Sequence, residues 1–83
     1  MTYRAFESHS CCRLKDGFLV EVGGSYWVNI CADRVRNYKG PIVVDSIEAV
    51  VFDGDYTFSI GVKKSIGGFC FVTFDEITVI CEI

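Results

Sequence analysis

The chain has a single histidine among its 83 residues, and it lacks the spaced Ser, His, Asp or glycine-loop patterns that carry most enzyme chemistry. Without a second histidine or a fixed neighbour for His9, no nucleophile–base pair can be read from spacing alone. No apolar run approaches the 18 or so residues of a membrane span. The N-terminal MTYRAFESHSCC lacks the basic-then-apolar order of a secretory signal. No stretch repeats apolar residues with a helical period for more than a turn or two. These absences set the expectations of a soluble, cytoplasmic, non-enzymatic protein with no cofactor and no membrane partner.

Cysteine is the exception to this scarcity, with five at positions 11, 12, 31, 70 and 81. An odd count without an export signal points to reduced thiols rather than a disulfide framework. Cys11 and Cys12 are neighbours, whose Cα atoms lie about 3.8 Å apart, too close for the usual bridge. Cys70 and Cys81 sit in apolar runs, where a thiol is a small hydrophobe; four of the five are expected to pack. His9, Cys11 and Cys12, with Cys31, suggest zinc, but a CC pair lacks the two-to-four-residue gap that lets a backbone wrap the ion. The expectation is therefore no metal site.

What is present is alternation. With 51% hydrophobic and 14% aromatic residues, the chain can build one dense core, and its length leaves room for one domain, residues 1–83. Phe18–Val22 alternates, Gly23-Gly24 reads as a two-residue hairpin turn, and Tyr26–Ile30 as the return strand. Trp27 falls on the face opposite Tyr26, Val28 and Ile30. Ile42–Val44 and Ile47–Phe52 are β-branched strands broken by Asp45-Ser46, in the manner of a bulge. Asp53-Gly54 is the strongest hairpin signal, and beyond it Tyr56, Phe58, Ile60 and Val62 alternate with Thr57, Ser59 and Gly61.

The tail FCFVTF-DEI-TVICEI reads as two strands joined by an acidic corner, one 3₁₀ turn at Asp75-Glu76-Ile77. Residues 1–13 read as a loose arm or edge strand. Residues 32–41 break the rhythm and could hold one helical turn stopped by Lys39-Gly40-Pro41. The fold class expected is mostly β: a small antiparallel SH3-like or Sm-like barrel, or a strongly twisted sheet, with at most one short helical turn.

Leu14-Lys15-Asp16-Gly17 beside a strand, together with Phe74-Asp75-Glu76-Ile77-Thr78 after a hairpin, resembles the Sm-like barrels of small bacterial regulators, including inhibitors of the transcription terminator Rho. The resemblance implies a barrel and an inhibitor's role.

Charge supplies the candidate surfaces. Net charge is −3, with six cations against four acids in residues 1–40 and two against seven in 41–83. An acidic second half, with Glu48, Asp53, Asp55, Asp75 and Glu76, fits a basic protein surface or imitates phosphates toward a nucleic-acid-handling enzyme. As catalytic carboxylates these residues are explained more simply, since Asp53 and Asp55 flank a turn glycine and Asp75-Glu76 turn a corner. Trp27, Tyr26, Tyr38 and Phe52 are candidate aromatic anchors; their plain alternative is the core. Partner-binding residues are therefore expected at Trp27, Tyr38, Glu48, Asp53, Asp55, Asp75 and Glu76. The function expected is binding and modulating a larger protein, as inhibitors encoded by phages or mobile elements do, with self-association through open strands. The alternative is nucleic-acid binding by Arg34, Arg36, Tyr38 and Lys39, against which stands a pI of about 4.9.

Overall fold

The computed structural model describes residues 4–52 and 54–83. Eight strands form: β1 (Arg4–Ser8), β2 (Cys11–Arg13), β3 (Leu19–Glu21), β4 (Ser25–Ile30), β5 (Tyr38–Phe52), β6 (Asp55–Lys64), β7 (Phe69–Thr73) and β8 (Ile77–Glu82). All pairings are antiparallel. The main sheet runs in the order β7-β6-β5-β4-β8, with β1 added to β5, while β2 and β3 form a separate ribbon. Among the described residues there is no helix.

The long strand β5 organises the whole. Fifteen residues of extended chain would span roughly 45–50 Å, more than the molecule's longest dimension of 41 Å, so β5 must bend. It does so at Asp45, where the register with β6 shifts between Val44 and Ser46. One extra residue also inverts the alternation. Ile42 and Val44 are buried before the bulge, Ile47 and Ala49 after it. Along one edge, the first half of β5 pairs with β4 and the second half with β1. The core lies on one face of the sheet: Val28, Ile30, Ile42, Val44, Ile47, Ile60, Val62, Val72 and Ile77.

The β2–β3 ribbon closes that side, contributing Cys12, Leu14 and Val20. Its backbone is tied down by His9 N–H to Ile47 O at 2.9 Å, Gly23 N–H to Val44 O at 2.8 Å and Lys15 N–H to Phe74 O at 3.2 Å. Here the sequence expectation fails. Gly23-Gly24 is not a hairpin turn between Phe18–Val22 and Tyr26–Ile30, because β3 pairs with β2, and β4 pairs with β5 and β8. Gly23, with φ of 88°, carries the chain from the ribbon into the sheet. Val44 N–H then bonds Gly24 O at 3.0 Å. A side chain at Gly24 would strike the Tyr26 phenol.

Residues 1–13 do not act as one loose arm: Arg4–Ser8 is an edge strand on β5, whereas Cys11–Arg13 pairs within the ribbon and buries Cys12, and residues 1–3 lie outside the described residues. Other local expectations hold. Phe52 and Asp55 pair across a two-residue connection, and Gly54 has φ of 85°; Asp53 itself lies outside the described residues. Residues 33–37 make one helical-type turn, Asn37 N–H to Asp33 O at 2.9 Å. Lys39-Gly40-Pro41, however, does not stop it from a loop: all three lie within β5.

Candidate interaction surface

The two interruptions in the strand rhythm, residues 32–37 and the corner at 74–76, meet in space. Asp33 accepts hydrogen bonds from the Val35 and Arg36 amides at 3.0 and 2.8 Å, and Asn37 accepts one from the Ala32 amide at 2.8 Å. This turn aims Arg36 at the corner. Its Nε lies 2.8 Å from Asp33 Oδ2, Nη1 donates to Phe71 O at 2.9 Å, and both Nη atoms sit 3.3 Å from the Glu76 carboxylate. Glu76 in turn accepts the Thr73 amide at 2.9 Å, and the Cys31 amide bonds Glu76 O at 2.8 Å. The forked guanidinium suits two carboxylates and a carbonyl at once. Hydrogen bonding from Arg36 holds the Asp33 carboxyl below its ordinary pKa and raises that of Arg36 itself, the Asp33 hydrogen bond being the largest cause.

This cluster has a structural role: it covers the outer edge of β7 by satisfying Phe71 O and Thr73 N–H. Arg36 and Glu76, expected as ligands for two different partners, are therefore engaged with each other. Arg34 and Lys39 are exposed and make no ion pair among the described residues. Tyr38 is half-buried, packs against the core and donates to Pro41 O at 2.8 Å. The Lys64 ammonium lies 5.3 Å from the centre of its ring.

The face of the sheet opposite the core carries Trp27, Phe69 and Phe71. Phe69 and Phe71, 45% and 52% exposed, meet edge-to-face at 5.0 Å. They lie over Gly61, where an added Cβ would come within 2.9 Å of Phe69 and 3.2 Å of Phe71. The glycine is what lets the rings settle on the strand. Part of their surface is spent covering its backbone; the remainder faces solvent. Phe69 is opposite Lys63, which is opposite Val43, so a lysine separates the aromatic pair from the apolar residue two strands away. The Lys63 ammonium lies 3.4 Å from Asp45. Trp27, 40% exposed, stands farther along on β4, opposite Pro41 and Cys81.

No family model, curated protein or solved structure matches this chain. The reading of its surface rests on its own geometry.

The expected partner-binding residues divide. Glu48 pairs with Ser59 and Ser59 with Thr73, whose hydroxyl bonds Asp75, so Glu48 and Asp75 border the same row. That hydrogen bond is the leading cause of a lowered Asp75 pKa. Asp55 is exposed beside the β5–β6 turn. Trp27 is exposed as expected, whereas Tyr26 is only 4% exposed and belongs to the core. Phe52's side chain is outside the described residues. The sequence reads FCFVTF as a strand, without singling out Phe69 and Phe71. Both aromatics fall at alternate positions beside a strand glycine, and that was the available signal.

Among the described residues there is no cavity and no grouping of three or more His, Cys, Asp or Glu close enough to hold a metal. His9 packs edge-on against Phe58 at 5.3 Å. Its Nε2 lies 3.1 Å from Glu7 Oε1, but the angle does not make a hydrogen bond. All five cysteines are free. The expectation that four of them pack is wrong: Cys11, Cys31 and Cys81 are exposed, Cys70 is intermediate and only Cys12 is buried. Burial, with a smaller contribution from Cys11, pushes the Cys12 thiol pKa up.

Proposed function

We propose that this chain is a non-enzymatic protein-binding module, a small SH3-like or Sm-like barrel that modulates or inhibits a larger protein through the face of its sheet turned away from the core. The single observation that carries the reading is the Phe69–Phe71 pair, fixed over Gly61 yet half exposed. Rigid aromatics that lose little entropy on docking are typical hot-spot anchors. The barrel reading is supported by the strand order, in which the last strand follows a one-turn corner and returns to pair with the first of the meander. SH3-like and Sm-like barrels end in this way.

The row of Glu48 and Asp75 beside the aromatics favours a basic partner surface, such as that of a nucleic-acid-handling enzyme. The alternative ligand, single-stranded nucleic acid, keeps Arg34 and Lys39 but has to compete with Asp33 and Glu76 for Arg36. Immobilised protein should retain one dominant partner from a lysate of its native cell. The Phe69→Ser/Phe71→Ser variant should lose that partner while Asp55→Asn keeps it, with melting temperature measured on each. Retention unchanged by the double substitution would overturn the proposal. So would salt-sensitive binding of single-stranded RNA abolished by Arg34→Glu with Lys39→Glu.

A further inference from the structure

Cations and exposed aliphatic side chains gather on two neighbouring loops. The β4–β5 connection and the β6–β7 turn carry the two most exposed large apolar side chains among the described residues, Val35 at 86% and Ile66 at 80%. Val35 stands between Arg34 and Arg36, and Ile66 comes two residues after the Lys63-Lys64 pair. The loops adjoin: Arg36 of the first donates to Phe71 O on the strand that leaves the second. The Lys64 ammonium in turn lies 5.3 Å from the ring centre of Tyr38, the residue that follows the first loop. Both are held in shape. Val35 N–H bonds Asp33 at 3.0 Å. Gly67 N–H bonds Lys64 O and Lys64 N–H bonds Gly68 O, each at 3.0 Å, while the Ser65 hydroxyl donates to Pro41 O at 2.8 Å. Structured turns thus hold two aliphatic side chains out in water.

We infer that these loops dock on an anionic lipid surface, with Val35 and Ile66 entering the headgroup region and Arg34, Lys39 and Lys64 meeting the lipid anions. Aliphatic tips flanked by cations supply the two halves of an interfacial site, burial of apolar area and attraction to negative lipids. Asp33 and Glu76 hold Arg36, and Asp45 meets Lys63 at 3.4 Å, but Arg34, Lys39 and Lys64 make no ion pair among the described residues. Asp55 lies at the far end of β6, ten residues and roughly 30 Å of strand away, several screening lengths from the Lys64 end. A single-stranded nucleic acid asks for an open aromatic platform beside the cations. Tyr38, the ring beside Lys64, is half-buried with the ammonium over it. A small ligand asks for a concavity, and none forms among the described residues; a bilayer is flat. Peripheral contact of this kind needs no spanning segment. The inference does not rest on the role given to Phe69 and Phe71.

Co-sedimentation of the full chain with vesicles tests it. The chain should sediment with phosphatidylcholine vesicles containing about 30% phosphatidylserine and stay in solution with phosphatidylcholine alone, since two small tips bury too little area to bind unaided. Raising salt from about 0.05 to 0.5 M should weaken the binding. Arg34→Gln with Lys39→Gln should weaken it about 30-fold, at about 5-fold per cation. Val35→Ser and Ile66→Ser should each weaken it about 5- to 10-fold. All four side chains are exposed, so circular dichroism and melting temperature should not change. No sedimentation with about 1 mM anionic lipid overturns the inference. So does binding that the two serine variants leave unchanged. A single-stranded oligonucleotide that displaces the chain from vesicles, and that Ile66→Ser holds as well as the wild type does, would assign the loops to nucleic acid and equally overturn it.

Discussion

Replacing Tyr26 by Phe removes one oxygen and should loosen the ribbon from the sheet. Tyr26 is buried at 4% exposure, with its ring edge-on to Phe18 at 5.8 Å and its hydroxyl accepting the Glu21 amide at 3.0 Å. Deleting the hydroxyl leaves that partly buried amide without its partner, at a cost of about 1–2 kcal/mol, the lower part of the usual range because water can reach it. An 83-residue domain is held by roughly 4–12 kcal/mol, so the loss is large relative to the total. A melting temperature lowered by about 5–15 °C follows from the per-residue unfolding entropy. Urea denaturation with an unchanged m-value would report the stability change. Hydrogen exchange would show where it acts, with the Glu21 amide losing protection and Val62, flanked on β6 by Val44 of β5 and Cys70 of β7, keeping it. Tyr26→Ala, which also removes the ring, should cost about 3–5 kcal/mol. If Tyr26→Phe left both stability and the Glu21 amide unchanged, the hydroxyl would not be the tie between ribbon and sheet.

Three further outcomes are expected. Gly61→Ala should destabilise by about 1–3 kcal/mol, as overpacking does, because the new Cβ meets the Ser46 hydroxyl first and then the Phe69 ring; combining it with Ser46→Ala, and separately with Phe69→Ala, should each recover part of the loss in thermal melts, and additive costs with Phe69→Ala would deny the ring-over-glycine contact. Asp33 and Asp75 have folded-state pKa values below their ordinary ones, so the native state binds fewer protons than the unfolded chain in that range. Their contribution is present above about pH 4 and is lost as pH falls through the folded values; Asp33→Asn should flatten the acid limb of a stability–pH curve, and an unchanged limb would refute this. Under native conditions a thiol reagent should label Cys11, Cys31 and Cys81 rapidly and Cys12 only on unfolding, because Cys12 is both buried and harder to ionise; early modification of Cys12 in a mass spectrum would contradict its place in the core.

Local chemistry was legible wherever the sequence itself closes the interaction. Asp53-Gly54 signals a hairpin because its partners are two residues apart in the chain, and Asp45-Ser46 signals a bulge because the apolar alternation changes phase there. Gly23-Gly24 misled for the same reason. Positive φ at Gly23 is needed, but a glycine turn does not say which strand the next one joins. The candidate surface was less legible still. Arg36 and Glu76 are 40 residues apart, and nothing in either segment alone tells that one neutralises the other.

Composition and periodicity by themselves fixed a β chain with one core, its bend, its acidic corner and an outward Trp27, because these depend on neighbours in sequence and on which faces are apolar. Tertiary structure alone decided that Cys12, Leu14 and Val20 close the core from a separate ribbon. It alone put Phe69 and Phe71 over Gly61, and set Arg36 and Glu76 against the backbone of β7. Those outcomes are set by long-range register, where a strand finds its neighbour through the burial of a whole face rather than through any local signal.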